Sequence, residues 1–469
     1  MKLKEEHATV AVRNPSHRFE RPLKLKRSSD DSIADLSSII SDLPDEILQH
    51  ILSYIPTKLA ITTSVLSKRW RHVWKETPHL SFEWLNVFPE VINDTLARYS
   101  ASKITSFQLY TNFDYEVRQV DKSIEFAMSH NVENFSLALG SKSLYSFPDF
   151  SYTNSSMKRV NLKNFYLIPM STVSWTSLRN LSLGWCELSD ESFLKVLSGC
   201  PILETLTLHF CRSLKYLDLS KSLRLRRLEM EIERKSRYGA PFQSMQVVAP
   251  HVHYLSLRDC EAHCTFVDVS SLIEADVDVS YFHPRTKYDK PLDPNDLLVT
   301  AQKMIEAFQN VEKLTLGVNL LQMLSLSKIP SLPMLKVNNL TLETRIMRSV
   351  VPGVERLLQN SPGLNKLTVY NTTERCHTQL WECVDGYLKK QCWRLEDKVF
   401  PTSCYNVVEP KVVSSFMELL LANTKTLETL VVHLSTNCVA RSRFEELSQI
   451  ALTLSHNNNV SIVLKQTGG

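Results

Sequence analysis

Glycine is scarce in this chain: ten residues in 469, where about 7% is usual. The phosphate-cradling loops that need it are missing, since neither GxGxxG nor GxxxxGK[ST] occurs. The GxSxG nucleophile elbow and the HExxH zinc helix are missing too. These gaps do not exclude an enzyme, but no sequence-local set of side chains has a defined catalytic role. Long apolar runs are also lacking; none approaches the ~18–20 residues needed to span a bilayer. The first residues, MKLKEEHATVAVRNPSHRFE, have no apolar signal core. The expectation is an intracellular protein with no membrane partner. The ten cysteines contain no CxxC pair, so they are expected to be reduced and mostly buried.

Charge of one sign is missing as well. Residues 1–29 carry eight Lys/Arg against three Glu, and the remainder carries 46 basic against 47 acidic residues. A body that binds nucleic acid is normally strongly basic, so no nucleic-acid partner is expected. Residues 1–40 show weak apolar periodicity and read as a disordered basic tail. Within it RPLKLKR (21–27) reads as a solvated arm or a nuclear-import signal. Residence is therefore expected in the nucleus, the cytoplasm or both.

Residues 41–85 predict a compact helical unit. In SDLPDEILQHILSYIPTKLAITTSVLSKRWRHVW (41–74), Pro44, Asp45 and Glu46 suit a first helical turn. Ile47, Leu48, Ile51, Leu52 and Ile55 follow as one apolar stripe, and Pro56 stops it. Thr57 is a candidate cap for a second helix, with Leu59, Ala60 and Val65 facing inward. Ser67 is a candidate cap for a third, with Trp70, Val73 and Trp74 on one face. Lys68, Arg69, Arg71 and Lys75 flank that face, but two tryptophans there demand burial. A helix reading base edges needs free polar side chains instead.

From residue 104 a phrase L-x-x-L-x-L recurs. Good copies begin at Ile104, Val132, Met157, Leu178, Leu203, Leu225, Val252, Val311, Val337, Leu364 and Leu427, with a weaker one at Leu272. Successive starts are mostly 20–28 residues apart. That phrase and period match the leucine-rich repeat. Alternation makes a short strand with one apolar face, which only stacked neighbours can bury. Cys186, Cys211 and Cys260 each follow the last apolar position by three residues, as buried side chains at the turn out of the strand. Helical connectors are expected in LSDESFLKVLSGCP, capped by Ser189, in DPNDLLVTAQKMIEAFQ and in RIMRSVVPGVERLLQNSPG. SYFHPRTKYDKPLDPND (280–296) reads as a surface-loop insertion.

Leu43-Pro44, the Ile47/Leu48/Ile51/Leu52 stripe and Val65-Leu66-Ser67-Lys68-Arg69-Trp70 closely resemble the F-box. LSGCPILETLTL (197–208) resembles the repeat phrase of plant F-box/leucine-rich-repeat proteins. SFMELLLANTKTLETLVVHL (415–434) is similar to the helix and strand near the end of the FBD-type region in that family. The expected fold class is α/β. A three-helix F-box (41–85) precedes an irregular leucine-rich-repeat solenoid (100–370), an arc of short parallel strands with outer helices. An FBD-like region (371–469) completes it.

The resemblance implies the substrate-recognition subunit of a Skp-cullin-F-box ubiquitin ligase, without catalysis of its own. The F-box would dock on a Skp-type adaptor, and through it on cullin and RING subunits. By the family pattern, adaptor contact or its support falls on Leu43, Pro44, Ile47, Leu48, Leu52, Leu59, Val65, Leu66 and Trp70. An unknown target protein would lie on outward positions of the strands, among them Thr207, His209, Arg227, Glu229, Tyr254, Arg258, Lys313, Lys366 and Tyr370. Those side chains are a polar mixture with no dominant charge. The alternative is a repeat scaffold or ligand receptor that drives no degradation. HVHYLSLRDCEAHC (251–264) holds three His and two Cys, but Val252, Leu255 and Leu257 make it a repeat strand. Cys376, Cys383, Cys392 and Cys404 lack tight pairs, so no metal site and no cofactor are expected.

Overall fold

The computed structural model describes residues 43–84, 89–111, 117–140, 144–232, 245–260, 264–279, 294–326, 332–371, 380–390, 399–402, 409–435 and 441–467. The basic tail, its RPLKLKR run, most of the 280–296 insertion, and Cys376, Cys392 and Cys404 lie outside them.

The recurring phrase builds one parallel ladder. Its strands are β1 (His79–Trp84), β2 (Ser106–Thr111), β3 (Asn134–Leu139), β4 (Arg159–Lys163), β5 (Asn180–Gly184), β6 (Thr205–His209) and β7 (Arg227–Glu231). They continue as β8 (Tyr254–Cys260), β9 (Glu274–Val279), β10 (Lys313–Gly317), β11 (Asn339–Thr344), β12 (Lys366–Asn371), β13 (Thr429–Ser435) and β14 (Ser461–Thr467). Among the described residues these strands form a single sheet in strict chain order. Every pair is parallel and in equivalent register, so Leu206 sits beside Leu181 and Leu228, and Leu208 beside Leu183 and Met230.

All twelve phrases form strands, including the weak copy at Leu272, where Ala275 and Val277 take the inward positions. The second and fourth residues of each strand point into one continuous apolar core. The residue immediately before each strand closes the repeat. Its carbonyl accepts from two successive N–H groups of the next turn, as Glu204 does from Arg226 and Arg227, and His253 from Ile273 and Glu274. This row runs from Pro78 to Asn365, and Glu428 extends it to Ser461. Cys186 and Cys211 donate to carbonyls of the preceding strand turn, at 3.5 Å to Leu162 O and 3.4 Å to Leu183 O. Burial raises the Cys186 thiol to about 11, which makes it a poor nucleophile.

Two strands carry no phrase. In β1 the position of the first leucine is Thr77, and before β14 it is Asn459, held at φ 54°. The ladder therefore starts at His79, inside the segment the sequence assigned to the helical unit, and runs to Thr467.

Helices and a small parallel sheet back the ladder. The sheet pairs Tyr216–Asp218, Met245–Val248 and Cys264–Asp268. The connectors read from sequence form helices at Asp190–Ser198, Pro294–Ala307 and Val351–Gln359. Ser189 caps the first, accepting from Ser192 N at 3.1 Å. Strands are spaced more closely than packed helices, so the stack curves with the strands on its concave side. Toward the C-terminal end the helix Val318–Leu324 is wholly buried between sheet and outer helices. Gly353 lets the next helix approach it: a methyl group there would collide with the Leu321 carbonyl. The Gly353 amide donates to Ser325 Oγ at 2.8 Å.

Gly353→Ala is expected to cost about 1–3 kcal/mol, because the two helices must part. Gly363→Ala, where a methyl group meets nothing within 4 Å, is expected to be nearly neutral. Urea denaturation of the two variants checks this; equal midpoints would refute the close approach.

Candidate protein-docking surfaces

The N-terminal unit begins with α1 (Asp45–Leu52) and α2 (Thr57–Thr62). A 3-10 turn (Thr63–Val65), one α-helical turn (Trp70–Val73) and a second 3-10 turn (Trp74–Glu76) complete it. Its core is Leu48, Leu52, Ala60, Trp70, Val73 and Trp74. Arg69 pins the start of α1 to the third helical piece. It bonds Asp45 Oδ1 at 2.5 Å and the Leu43 carbonyl, so it is a clip rather than part of a solvated face. Trp70 N lies 3.4 Å from Ser67 Oγ, as expected of that cap. Thr57 is not a cap: it is buried as the first residue of α2, and its Oγ1 accepts from Ser81 N of β1 at 2.8 Å.

The nine residues assigned to adaptor docking divide in two. Leu48, Leu52 and Trp70 lie in the small core, so they shape the surface from beneath and do not face outward. Leu43 is half-buried against them. Pro44, Ile47, Leu59, Val65 and Leu66 are exposed, Val65 at 86% and Leu66 at 65%, so Leu59 and Val65 do not face inward as the sequence suggested; of that trio only Ala60 is buried. Two exposed neighbours were missed. Ile51, at 45%, follows Ile47 by one turn and was placed in the apolar stripe but not among the adaptor contacts, and Tyr54, at 76%, continues that stripe. A 3.6-residue period cannot separate them, because α1 is apolar on two adjoining faces. Single exposed apolar residues are ordinary, but a set this dense on so small a unit marks an interaction site.

The helical unit is continuous with the arc. Thr77 O accepts from Tyr99 OH at 2.8 Å, Lys75 O from Ser100 N at 3.0 Å, and Pro78 O from Thr105 N at 2.8 Å. The Thr57–Ser81 bond gives one amide of the β1 edge an acceptor from the helical unit, where an open strand would invite unwanted pairing.

The second surface is the open face of the ladder. The strands bring Thr207, His209, Arg227, Glu229, Tyr254 and Arg258 together across β6–β8. Arg227 bonds Glu229 at 2.6 Å and its guanidinium lies 3.8 Å from the Tyr254 ring centre. His209 Nδ1 is 2.8 Å from Glu231. Lys313 sits two strands further on, 3.5 Å from Glu274. Lys366 and Tyr370 are further still on β12, Tyr370 stacked on His433 with ring centres 4.2 Å apart.

The expectation of no dominant charge needs correcting at the middle of this face. Asp276 and Asp278 belong to the weak copy, and Glu343 to β11; none was singled out from the sequence. With Glu229 and Glu231 they give the third and fifth positions of β7–β11 five carboxylates against one arginine, Arg258. Arg258 Nε bonds Asp276 at 3.1 Å, and its guanidinium lies 4.0 Å from Glu343. Burial alone would lower its pKa; the bond to Asp276 and the charges of Asp276, Glu343 and Asp278 outweigh that and hold it above the usual value. Gly317 separates Asp278 from Glu343, and a methyl group there would strike the Asp278 carboxylate. At the strand ends the Trp185 and Phe210 rings lie tilted against each other with centres 5.0 Å apart, each residue with positive φ. Nothing in the phrase signals that pair.

Among the described residues no three His, Cys, Asp or Glu side chains form a metal-binding group. His251 Nε2 lies 3.2 Å from Ser220 O, a structural contact. No helix among them is long and apolar enough to cross a membrane.

A small helical unit with an exposed apolar set thus precedes a leucine-rich-repeat arc. Comparison with known families agrees. Residues 40–81 match the F-box domain, and residues 96–287 match the leucine-rich-repeat domain of the At1g61320/AtMIF1 type. The Arabidopsis thaliana F-box/LRR-repeat protein At5g02930 is 65% identical over 98% of this chain and 100% of its own length. F-box/LRR-repeat protein At5g02910 of the same plant is 48% identical over 93% and 96% of the two chains. F-box/LRR-repeat protein 25, also from that plant, is 67% identical over 56% of this chain and 98% of its own. The chain belongs to the plant F-box/leucine-rich-repeat family.

Core and surface roles in the F-box separate by mutation. Leu48→Ala is expected to destabilise the unit by about 2–5 kcal/mol. Leu66→Ala should stay within about 0.5 kcal/mol. Proteolysis of the F-box in each variant checks this; equal susceptibility would place Leu66 inside the core.

Proposed function

We propose that this chain is the target-recognition subunit of a Skp-cullin-F-box ubiquitin ligase. The observation that carries the reading is the exposed set Ile47, Ile51, Tyr54, Leu59, Val65 and Leu66 on a unit whose own core is already filled. An adaptor helix packing on that set would bury what water now touches, the usual logic of helix-to-groove recognition. Through the adaptor the chain would join cullin and RING subunits. Its own part is proximity: a target held on the repeats raises the effective concentration of a lysine near the transferred ubiquitin. No catalysis by this chain is needed. Residence in the nucleus or cytoplasm belongs to the same reading and rests on RPLKLKR alone.

The test is capture of a purified Skp-type adaptor by the intact chain. Val65→Asp with Leu66→Asp is expected to weaken capture at least about tenfold, since a few anchors dominate such interfaces. The repeat domain should stay folded. Failure of the unaltered protein to capture any adaptor would leave the reading as a non-degradative scaffold; capture indifferent to both substitutions would move the interface elsewhere.

A further inference from the structure

The proposed target face carries more chemistry than a generic polar sheet. We infer that strands β7–β11 recognise an extended protein segment bearing arginine or lysine side chains. This rests on the reading that the open face of the repeats holds the target, and it names what that target presents.

Three observations support it. The first is charge. The chain beyond residue 29 is almost neutral, yet the third and fifth positions of β7–β11 hold Glu229, Glu231, Asp276, Asp278 and Glu343 against one cation, Arg258, with Arg227 beside them on Glu229. On β1–β5 the same two rows hold one acid, Glu83, and one base, Lys163. The second is that the patch already holds a guanidinium: Arg258 reaches both Asp276 and Glu343, so the carboxylates are set at a spacing that suits one.

The third is an unmet acceptor. Asp276 is only 9% exposed and stands on the open face; Arg258 takes its Oδ2, while its buried Oδ1 has no hydrogen-bond partner. A buried carboxylate oxygen without a donor is costly. Gly317 contributes by omission, leaving the Asp278 and Glu343 carboxylates with no side chain between them. Bidentate guanidinium–carboxylate bonding fits such a site better than an ammonium does, so arginine should be preferred over lysine.

The experiment uses the intact chain and a fluorescent peptide alternating arginine with serine, read by anisotropy. Binding is expected, weakening as salt rises, with none for the same peptide built on glutamate. Glu229→Gln, Glu231→Gln and Glu343→Gln together should weaken binding about tenfold, while Glu191→Gln on the outer helix should not. If the triple variant does not fold, replacing arginine by neutral citrulline in the peptide gives the same comparison on the unaltered protein. Equal binding of the arginine and citrulline peptides would overturn the inference. So would binding seen only after residues 1–40 are removed, since the chain's own basic tail would then be the occupant. Adaptor capture is independent of all these outcomes. Its loss with peptide selectivity intact would sink only the ligase reading, and the reverse result only this one.

Discussion

The whole arc depends on one constraint: a five-residue strand with two inward apolar side chains cannot bury them by itself. Each strand is solvated on two edges and greasy on one face until a neighbour arrives. Repeating the same phrase lets Leu206 be covered by Leu181 and Leu228 at equal height. The shared carbonyl, one acceptor for two N–H groups of the next turn, keeps that height from drifting. A slip of one residue would turn every leucine to water, so the register is strongly enforced along the chain.

Such a stack has ends, and the N-terminal one is handled by the F-box. Thr57 supplies the acceptor that Ser81 would otherwise seek from another strand. Thr77, standing where a leucine would be, is buried at the joint and lends its carbonyl to Tyr99. The two units are thus less separate than their motifs suggest. Besides the docking role proposed for it, the F-box covers the end of the solenoid, as a terminal cap does.

Much of this was legible because the physics is periodic. Twelve phrases gave twelve strands, and Ser189 capped its helix as the sequence indicated. What was missed was missed for local reasons. Thr77 and Asn459 break the phrase at its first position, so β1 and β14 went unseen. Ile47 and Leu48 are neighbours in sequence on adjoining faces of α1, and only the packing of Trp70 and Trp74 decides which is covered. The acidic centre escaped notice because Asp276 and Asp278 lie in the poorest copy of the repeat. Their meeting with Glu229, Glu231 and Glu343 is a fact of lateral stacking, to which a reading along the chain is blind.

The joint at Lys75–Pro78 has one more consequence. Because β1 is hydrogen-bonded to β2 and also clasped by α2, the arc cannot swivel about the F-box without breaking a strand pair. On the proposed reading, a partner gripping Val65 and Leu66 would be held at a set bearing from one lying across Asp276, with the ladder between them. Reach along that ladder is counted in strands, each a fixed step, so adding or deleting one repeat would shift the cargo by a definite distance and angle.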